Sequence, residues 1–297
     1  MKKVTVAATQ MACSWDVKSN VDKAEALVRE AAKQGAQIIL LQELFETPYF
    51  CIEISESYHK LASTLENNEA FARLSQLAKE LQVVLPFSWY ERAGNVSFNS
   101  IAVIDADGSL LGKYRKTHIP DSDGYLEKYY FSPGDTGFKV WNTRYAKIGI
   151  GICWDQWFPE TARSMALQGA ELLFFPTAIG SEPSQPALDS QPHWQRTMQG
   201  HSAANQIPVI ASNRIGTETA QFRDLSLTFF GSSFITDGTG EIVAKADREH
   251  QSILTHEFDL DELEFQRRAW GLFRDRRPEH YRGLLTLDGQ VKDGGHE

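Results

Sequence analysis

Cysteine is scarce in this chain: Cys13, Cys51 and Cys153 are the only thiols among 297 residues, odd in number and without a CxxC pair. That excludes a disulfide framework and a thiolate zinc site as organising devices. The eight histidines show no HExxH or other close ligand spacing, so neither a metal nor a cofactor is called for. Long apolar runs are missing too. None approaches the roughly 20 residues of a spanning helix, and the opening MKKVTVAATQ goes straight into a strand pattern, so the expectation is a cytoplasmic protein with no membrane partner. Basic charge is in deficit, with 30 Lys and Arg against 39 Asp and Glu and a net charge of −9. A nucleic-acid partner is therefore not expected, because it needs a basic face, whereas a small cationic substrate is compatible.

With 42% hydrophobic and 23% charged residues, the chain can bury a large core as a single domain. Its organising stretch is Tyr145–Glu160, YAKIGIGICWDQWFPE. Ile148–Ile152 is apolar with two glycines, which suits a central strand closely approached by its neighbours. Cys153 ends that strand, and Pro159 fits the first turn of the following helix. A cysteine at such an elbow lies near backbone N–H groups, which predicts a favoured thiolate. The competing reading is a buried structural cysteine.

Elsewhere Val4–Thr9 alternates as a strand, Asn20–Lys33 and Glu69–Leu81 have helical spacing, and Gln37–Gln42 and Val83–Trp89 read as strands. Ser97–Ile104 and Leu110–Lys116 form a hairpin across an Asp-Ala-Asp-Gly turn. Thr117–Gly137 is a loop long enough to be functional. Glu171–Pro176 and Val209–Asn213 return as strands around a helix at His193–Asn205. Phe229–Thr236, Glu241–Lys245 and Ser252–Phe258 look antiparallel, and Asp261–Ala269 is the last helix. One echo stands out: Lys33-Gln34-Gly35-Ala36 before QIILLQE matches Leu167-Gln168-Gly169-Ala170 before ELLFFPT. Two such units predict a pseudo-symmetric α/β fold, a four-layer α-β-β-α sandwich; layer rules alone equally allow one doubly wound sheet. The domain spans residues 1–286, with 270–286 a tail suited to subunit contacts and 287–297 a disordered end.

Glu43, Lys116 and Cys153 each end a predicted strand. Singly they read as a capping carboxylate, a solvated lysine and a core thiol; together they suit a hydrolase with a nucleophile, a proton acceptor and an oxyanion-stabilising ammonium. The segments Leu40-Leu41-Gln42-Glu43, Lys113-Tyr114-Arg115-Lys116-Thr117-His118 and Gly151-Ile152-Cys153-Trp154-Asp155 resemble the motifs of the nitrilase, or carbon–nitrogen hydrolase, superfamily, over nearly the whole chain. The resemblance implies Glu43 as general base and acid, Lys116 as oxyanion stabiliser and Cys153 as covalent nucleophile, with the Trp154 N–H completing the oxyanion hole. It also places a second glutamate, Glu127, in a substrate-orienting role. A Cys153–His118 pair would imply a papain-like site instead.

The segments GICWDQWFPETAR, FPTAIGSEP and HIPDSDGYLEKYYFSPGD resemble the superfamily members that act on carbamoylated amines. What this implies is hydrolysis of N-carbamoylputrescine to putrescine, carbon dioxide and ammonia, on the route from agmatine to polyamines. A pocket for that small cationic carbamoyl-amine needs apolar walls, for which Trp154, Tyr49 and Tyr125 are candidates, and a carboxylate for the distal ammonium, for which Glu182 is the candidate. The rivals are an ω-amidase or β-ureidopropionase, whose anionic substrate would want a cation at Glu182, and a binding module without turnover. The resemblance also implies a homo-oligomer built from dimers, which the aromatic, arginine-rich Trp270–Arg282 suits.

Overall fold

The computed structural model describes residues 2–291. Its first half runs β1 (Lys3–Gln10), α1 (Val17–Lys33), β2 (Ile38–Leu40), α2 (Glu69–Leu81), β3 (Leu85–Ala93), β4 (Val96–Ile104) and β5 (Leu110–Arg115). The helix starts are set by side chains: Asp16 accepts from the Ser19 N–H at 3.0 Å, and Asn68 from that of Phe71 at 2.7 Å. The second half runs β6 (Val140–Asn142), β7 (Lys147–Ile150), α3 (Pro159–Leu167), β8 (Leu172–Pro176), α4 (Gln191–Asn205) and β9 (Val209–Ser212). It continues with β10 (Ile215–Thr219), β11 (Ser226–Phe230), β12 (Phe234–Thr236), β13 (Ile242–Lys245), β14 (Ser252–Asp259) and α5 (Leu260–Trp270). Among the described residues no helix is long and apolar enough to cross a membrane.

Two sheets result. In one, the order β14-β1-β2 joins β3-β4-β5 through backbone bonds from the Ile39 N–H to the Val84 carbonyl at 3.0 Å and from the Val84 N–H to the Gln37 carbonyl at 2.8 Å. The other has the order β13-β12-β9-β8-β7-β6, with β7, β8 and β9 parallel. The strand period of two sorts their side chains. Val4, Val6 and Ala8 of β1 meet Ile148, Ile150, Leu172 and Phe174 of the facing sheet, while Ala7 turns outward onto α1 and α2. On the far side, Met165 of α3 and Trp194 and Met198 of α4 cover the second sheet. These contacts build the expected four-layer α-β-β-α sandwich, not a single doubly wound sheet.

The echo between the halves is physical. Gly35 and Gly169 both have φ of 91°, and a Cβ at either would meet nothing within 4 Å, so the left-handed backbone that ends the helix is what requires glycine. The glycines around β7 have the other cause. A Cβ on Gly149 would lie 2.9 Å from Met165, and one on Gly151 would lie 2.8 Å from Phe175.

Phe229–Thr236 is not one strand. Gly231 and Ser232 have φ of 49° and 54°, a left-handed pair that breaks the run into β11 and β12. β11 folds back on β10 in a hairpin that the apolar pattern did not announce. Ser252–Asp259 pairs along its whole length with β1, from Lys3 against Asp259 to Gln10 against Ser252. From residue 292 onward, the expected disordered end lies outside the described residues.

The first sheet buries a charge on β3. Glu91 on β3 is buried and accepts from Arg115 Nη2 at 2.8 Å, from Ser100 Oγ at 2.6 Å and from Lys113. Burial by itself would raise its carboxyl, but these donors outweigh it and hold the pKa at about 2. A depressed carboxylate contributes stability above its unfolded value near 4.5 that is lost as pH falls toward about 2. Glu91→Gln should therefore cost ~1–3 kcal/mol at neutral pH, and urea titrations should show the deficit shrinking by more than half near pH 3.

Candidate active site

Three buried charges meet where the chain leaves the first sheet. Glu43 lies just past β2 in a turn whose next residue, Leu44, has φ of 49°. Lys116 directly follows β5, its N–H bonded to the Asn99 carbonyl at 2.9 Å. Glu127 opens a single 3-10 turn, Glu127–Tyr129, inside the long loop. Lys116 Nζ donates to Glu43 Oε1 at 2.8 Å and to Glu127 Oε2 at 2.7 Å, with all three side chains fully buried. Asn99 Nδ2 donates to Glu43 Oε1 at 2.7 Å, and the Tyr49 hydroxyl to Glu127 Oε1 at 2.6 Å. Glu43 Oε2, like Asn99 Oδ1, has no hydrogen-bond partner among the described residues. Burial pulls the Lys116 ammonium down, but Glu127 and Glu43 outweigh it and hold it well above its usual value. For Glu127 burial wins: its carboxyl is pushed up, with Lys116 opposing and Glu43 adding to the rise.

Cys153 stands at the expected elbow, beyond β7, with φ of 41° at the start of a 3-10 turn over Cys153–Trp157. Asp155 fixes that turn. Its Oδ2 accepts from the Ile152 N–H at 2.9 Å and the Tyr114 hydroxyl at 2.8 Å, and its Oδ1 from the His118 N–H at 3.0 Å. His118 Nδ1 lies 2.8 Å from the same Oδ1, and the ring stacks on Phe158 with centroids 3.7 Å apart. His118 thus serves Asp155, and among the described residues no hydrogen bond joins its ring to the Cys153 sulfur. The Cys153 Sγ faces the Ala178 carbonyl at 3.8 Å. The favoured thiolate is also corrected. With the residue only 6% exposed, burial pushes the thiol well up, Glu43 and Glu127 add to that, and Lys116 opposes without prevailing. The sulfur rests protonated beside a carboxylate that has one free oxygen and an ammonium that can face new negative charge. Such a set can move a proton off sulfur and hold an oxyanion.

Of the proposed substrate contacts, Tyr49 and Tyr125 sit together, with ring centroids 5.7 Å apart. The Tyr125 hydroxyl accepts from the Gly180 N–H at 3.0 Å and donates to the Ser181 carbonyl at 3.1 Å, which ties it to the loop bearing Glu182. Glu182 is half-buried; burial raises its carboxyl, the Ser190 hydroxyl opposing, and its charge in turn reaches Tyr125. The Trp154 ring is 38% exposed and packs edge-on against Trp157 at 6.2 Å, apart from the tyrosines. Two residues at the centre escaped sequence reasoning. Asn99 is marked only by a buried polar pair, Asn99-Ser100, in an otherwise apolar strand, and Asp155 lay inside the cysteine motif without a role. Among the described residues no group of three or more His, Cys, Asp or Glu is placed to hold a metal ion.

An α-β-β-α sandwich with a glutamate, a lysine and a cysteine at its strand ends defines a class, and a family model confirms it. The chain belongs to the carbon-nitrogen hydrolase family, whose model matches residues 5–268. It is 56% identical over 292 residues to an N-carbamoylputrescine amidase of Arabidopsis thaliana, covering 98% of each chain. It is 55% identical over 281 residues to a citrullinase of Francisella tularensis, covering 95% of this chain and 98% of that one. A crystal structure of a carbon-nitrogen hydrolase from Helicobacter pylori superposes with a TM-score of 0.89 at 39% identity, covering 96% and 99% of the two chains.

Proposed function

We propose that the chain hydrolyses N-carbamoylputrescine to putrescine, carbon dioxide and ammonia, in the route from agmatine to polyamines. Near-full-length identity to a protein of that activity supports the substrate. The observation that carries the chemistry is the Lys116 ammonium bonded to both Glu43 and Glu127, with one Glu43 oxygen left free. Glu43 Oε2 takes the proton from the Cys153 thiol as sulfur attacks the ureido carbon. The oxyanion falls to Lys116 Nζ and the Trp154 N–H, and Glu127 holds Lys116 and the substrate in line. Glu43 then returns the proton to the departing nitrogen. A water that loses a proton to Glu43 cleaves the thioester, Glu43 passes that proton to the departing Cys153 sulfur, and the carbamic acid set free breaks down to carbon dioxide and whichever of putrescine and ammonia did not depart first.

Tyr49 and Tyr125 wall the four-carbon chain, with Trp154 at the outer edge, and Glu182 receives the distal ammonium. The citrullinase likeness supplies the rival substrate, a ureido chain that ends in both an ammonium and a carboxylate. Ammonia release should be measured with N-carbamoylputrescine, citrulline, N-carbamoyl-β-alanine and a simple amide. The first should give the highest kcat/KM; a higher value for any other overturns the assignment. Glu182→Gln should weaken N-carbamoylputrescine by ~1–3 kcal/mol in kcat/KM, chiefly through KM, and leave a neutral analogue unaffected. Equal losses on both would remove Glu182 from the amine site.

The assembly reading is a homo-oligomer built from dimers with the C-terminal tail in the contact. Phe265, Trp270, Leu284 and Leu285 are exposed, Trp270 by 71% and Leu285 by 88%, more apolar surface than a free end carries. Part of the tail packs on its own domain, where Arg163 sits 4.9 Å over the Phe273 ring. Three free thiols suit a reducing compartment, which supports a cytoplasmic location.

A further inference from the structure

We infer that the buried ion pair Arg214–Glu218 is a clamp that positions the loop from Glu43 to Tyr49, and so sets the placement of the proton acceptor. Arg214 directly follows β9 by two residues and Glu218 lies on β10, both in the second half of the chain. Among the described residues, the side-chain hydrogen bonds they make outside their own pair all fall on a loop of the first half. Arg214 Nη2 donates to the carbonyls of Glu43 at 2.9 Å and Leu44 at 3.0 Å, and Nη1 to that of Thr47 at 3.3 Å. Nη1 also meets Glu218 Oε1 at 2.7 Å, and Glu218 Oε2 accepts from the Tyr49 N–H at 2.5 Å.

The loop is thus held at both ends by one pair. At one end is Glu43, and at the other is Tyr49, whose hydroxyl holds Glu127. Between them Leu44 has φ of 49°, a conformation that persists in a leucine only where the surroundings over-determine it. Three carbonyls converging on one guanidinium supply that constraint, and only the planar fork of arginine can serve them together. The guanidinium has no exposed surface, and although burial opposes its charge, Glu218 outweighs that and holds it above the usual arginine value.

The preceding residue does the same for the cysteine side. Asn213 Nδ2 donates to the Ile179 carbonyl at 2.9 Å, and its Oδ1 accepts from the Ile179 N–H at 3.0 Å. That fixes the segment whose Ala178 carbonyl faces Cys153 Sγ. Two consecutive residues after one strand therefore set the distance between the acid-base side and the thiol side.

The inference rests on Glu43 being the base, not on which carbamoyl compound is the substrate. Its test compares Arg214→Lys, Glu218→Gln and Glu43→Gln in the full chain by kcat, KM, thermal midpoint and the rate of Cys153 alkylation by iodoacetamide from pH 6 to 9. In both clamp variants kcat should fall roughly 30- to 100-fold with KM changed by less than about three-fold, the scale expected for a group misplaced by about 1 Å. Alkylation near pH 7 should slow and take on the steep pH dependence of Glu43→Gln. If Arg214→Lys does not fold, Glu218→Gln decides, since it keeps an acceptor for the Tyr49 N–H. Folded clamp variants with parental kcat and alkylation, and only a lower thermal midpoint, reduce the pair to a fold-stabilising role and overturn the inference. Parental alkylation in Glu43→Gln would overturn the catalytic reading instead, and the clamp with it.

Discussion

Glu43→Gln should slow turnover by ~10²–10⁴-fold with little change in KM, the range for removing a positioned general base. The substitution is nearly silent structurally. A glutamine can offer its oxygen to Asn99 Nδ2 and Lys116 Nζ as Glu43 Oε1 does, and it places an NH₂ where the unpartnered Oε2 stood. What disappears is the charge and the unpartnered oxygen of a carboxylate whose field reaches the thiol. Because burial holds the Cys153 thiol well above its usual pKa, thiolate is a minor form throughout the neutral range. Without a neighbouring base its supply must come from hydroxide. Removing the Glu43 charge also relieves one cause of the raised pKa, so the thiolate fraction starts somewhat higher than in the parent. It should still climb about tenfold per pH unit below the thiol pKa. Stopped-time alkylation assays read this directly: a flat parent profile and a steep variant profile support the base, while parallel profiles refute it.

Lys116→Met should be the most damaging single change to the molecule, because it strikes chemistry and stability together. Two fully buried carboxylates lose their shared counter-ion, which is expected to cost ~3–5 kcal/mol of unfolding free energy. Turnover should fall by ~10²–10³-fold for the missing oxyanion partner. The stability defect carries a pH sign. Glu127 already has a raised pKa by burial, and without the ammonium that opposes the rise it moves further up. A carboxyl whose folded pKa exceeds its unfolded value binds more protons in the native state, so the defect should lessen as pH falls from 7 toward 5. Adding Glu127→Gln to Lys116→Met removes one stranded charge. Urea titrations of the double variant should recover a large part of the lost stability while activity stays lost. A double variant as unstable as the single one would mean that the lysine's aliphatic packing, not its charge, was what mattered.

How much of this was legible in the sequence depended on whether a local pattern carried the information. α2 was readable from its apolar spacing to the residue, and the Gly35 and Gly169 helix ends announced the two-fold repeat from which the sandwich follows. Glu43, Lys116 and Cys153 were visible because strand ends are marked by breaks in apolar runs. The β10–β11 hairpin was not, since Thr217, Glu218 and Thr219 show none of the alternation of a buried strand. The thiol's protonation state was misread for a different reason: the elbow's N–H groups are local and visible, whereas the burial that outweighs them is a property of the assembled layers. Arg214 was equally opaque. Its partners lie some 170 residues away in sequence, from Thr47 to Glu43, and nothing near it hints at them.

The pairing of β1 with β14 joins residues 3–10 to residues 252–259 in sheet register. A ribosome releasing this chain must therefore deliver nearly all of it before the first sheet can close, and until then β1 presents a bare edge to other chains. Contacts of such sequence separation make closure slow. The enzyme's hazard lies in its synthesis, in the interval when Glu43, Lys116 and Cys153 already exist and the strand that seals their scaffold does not.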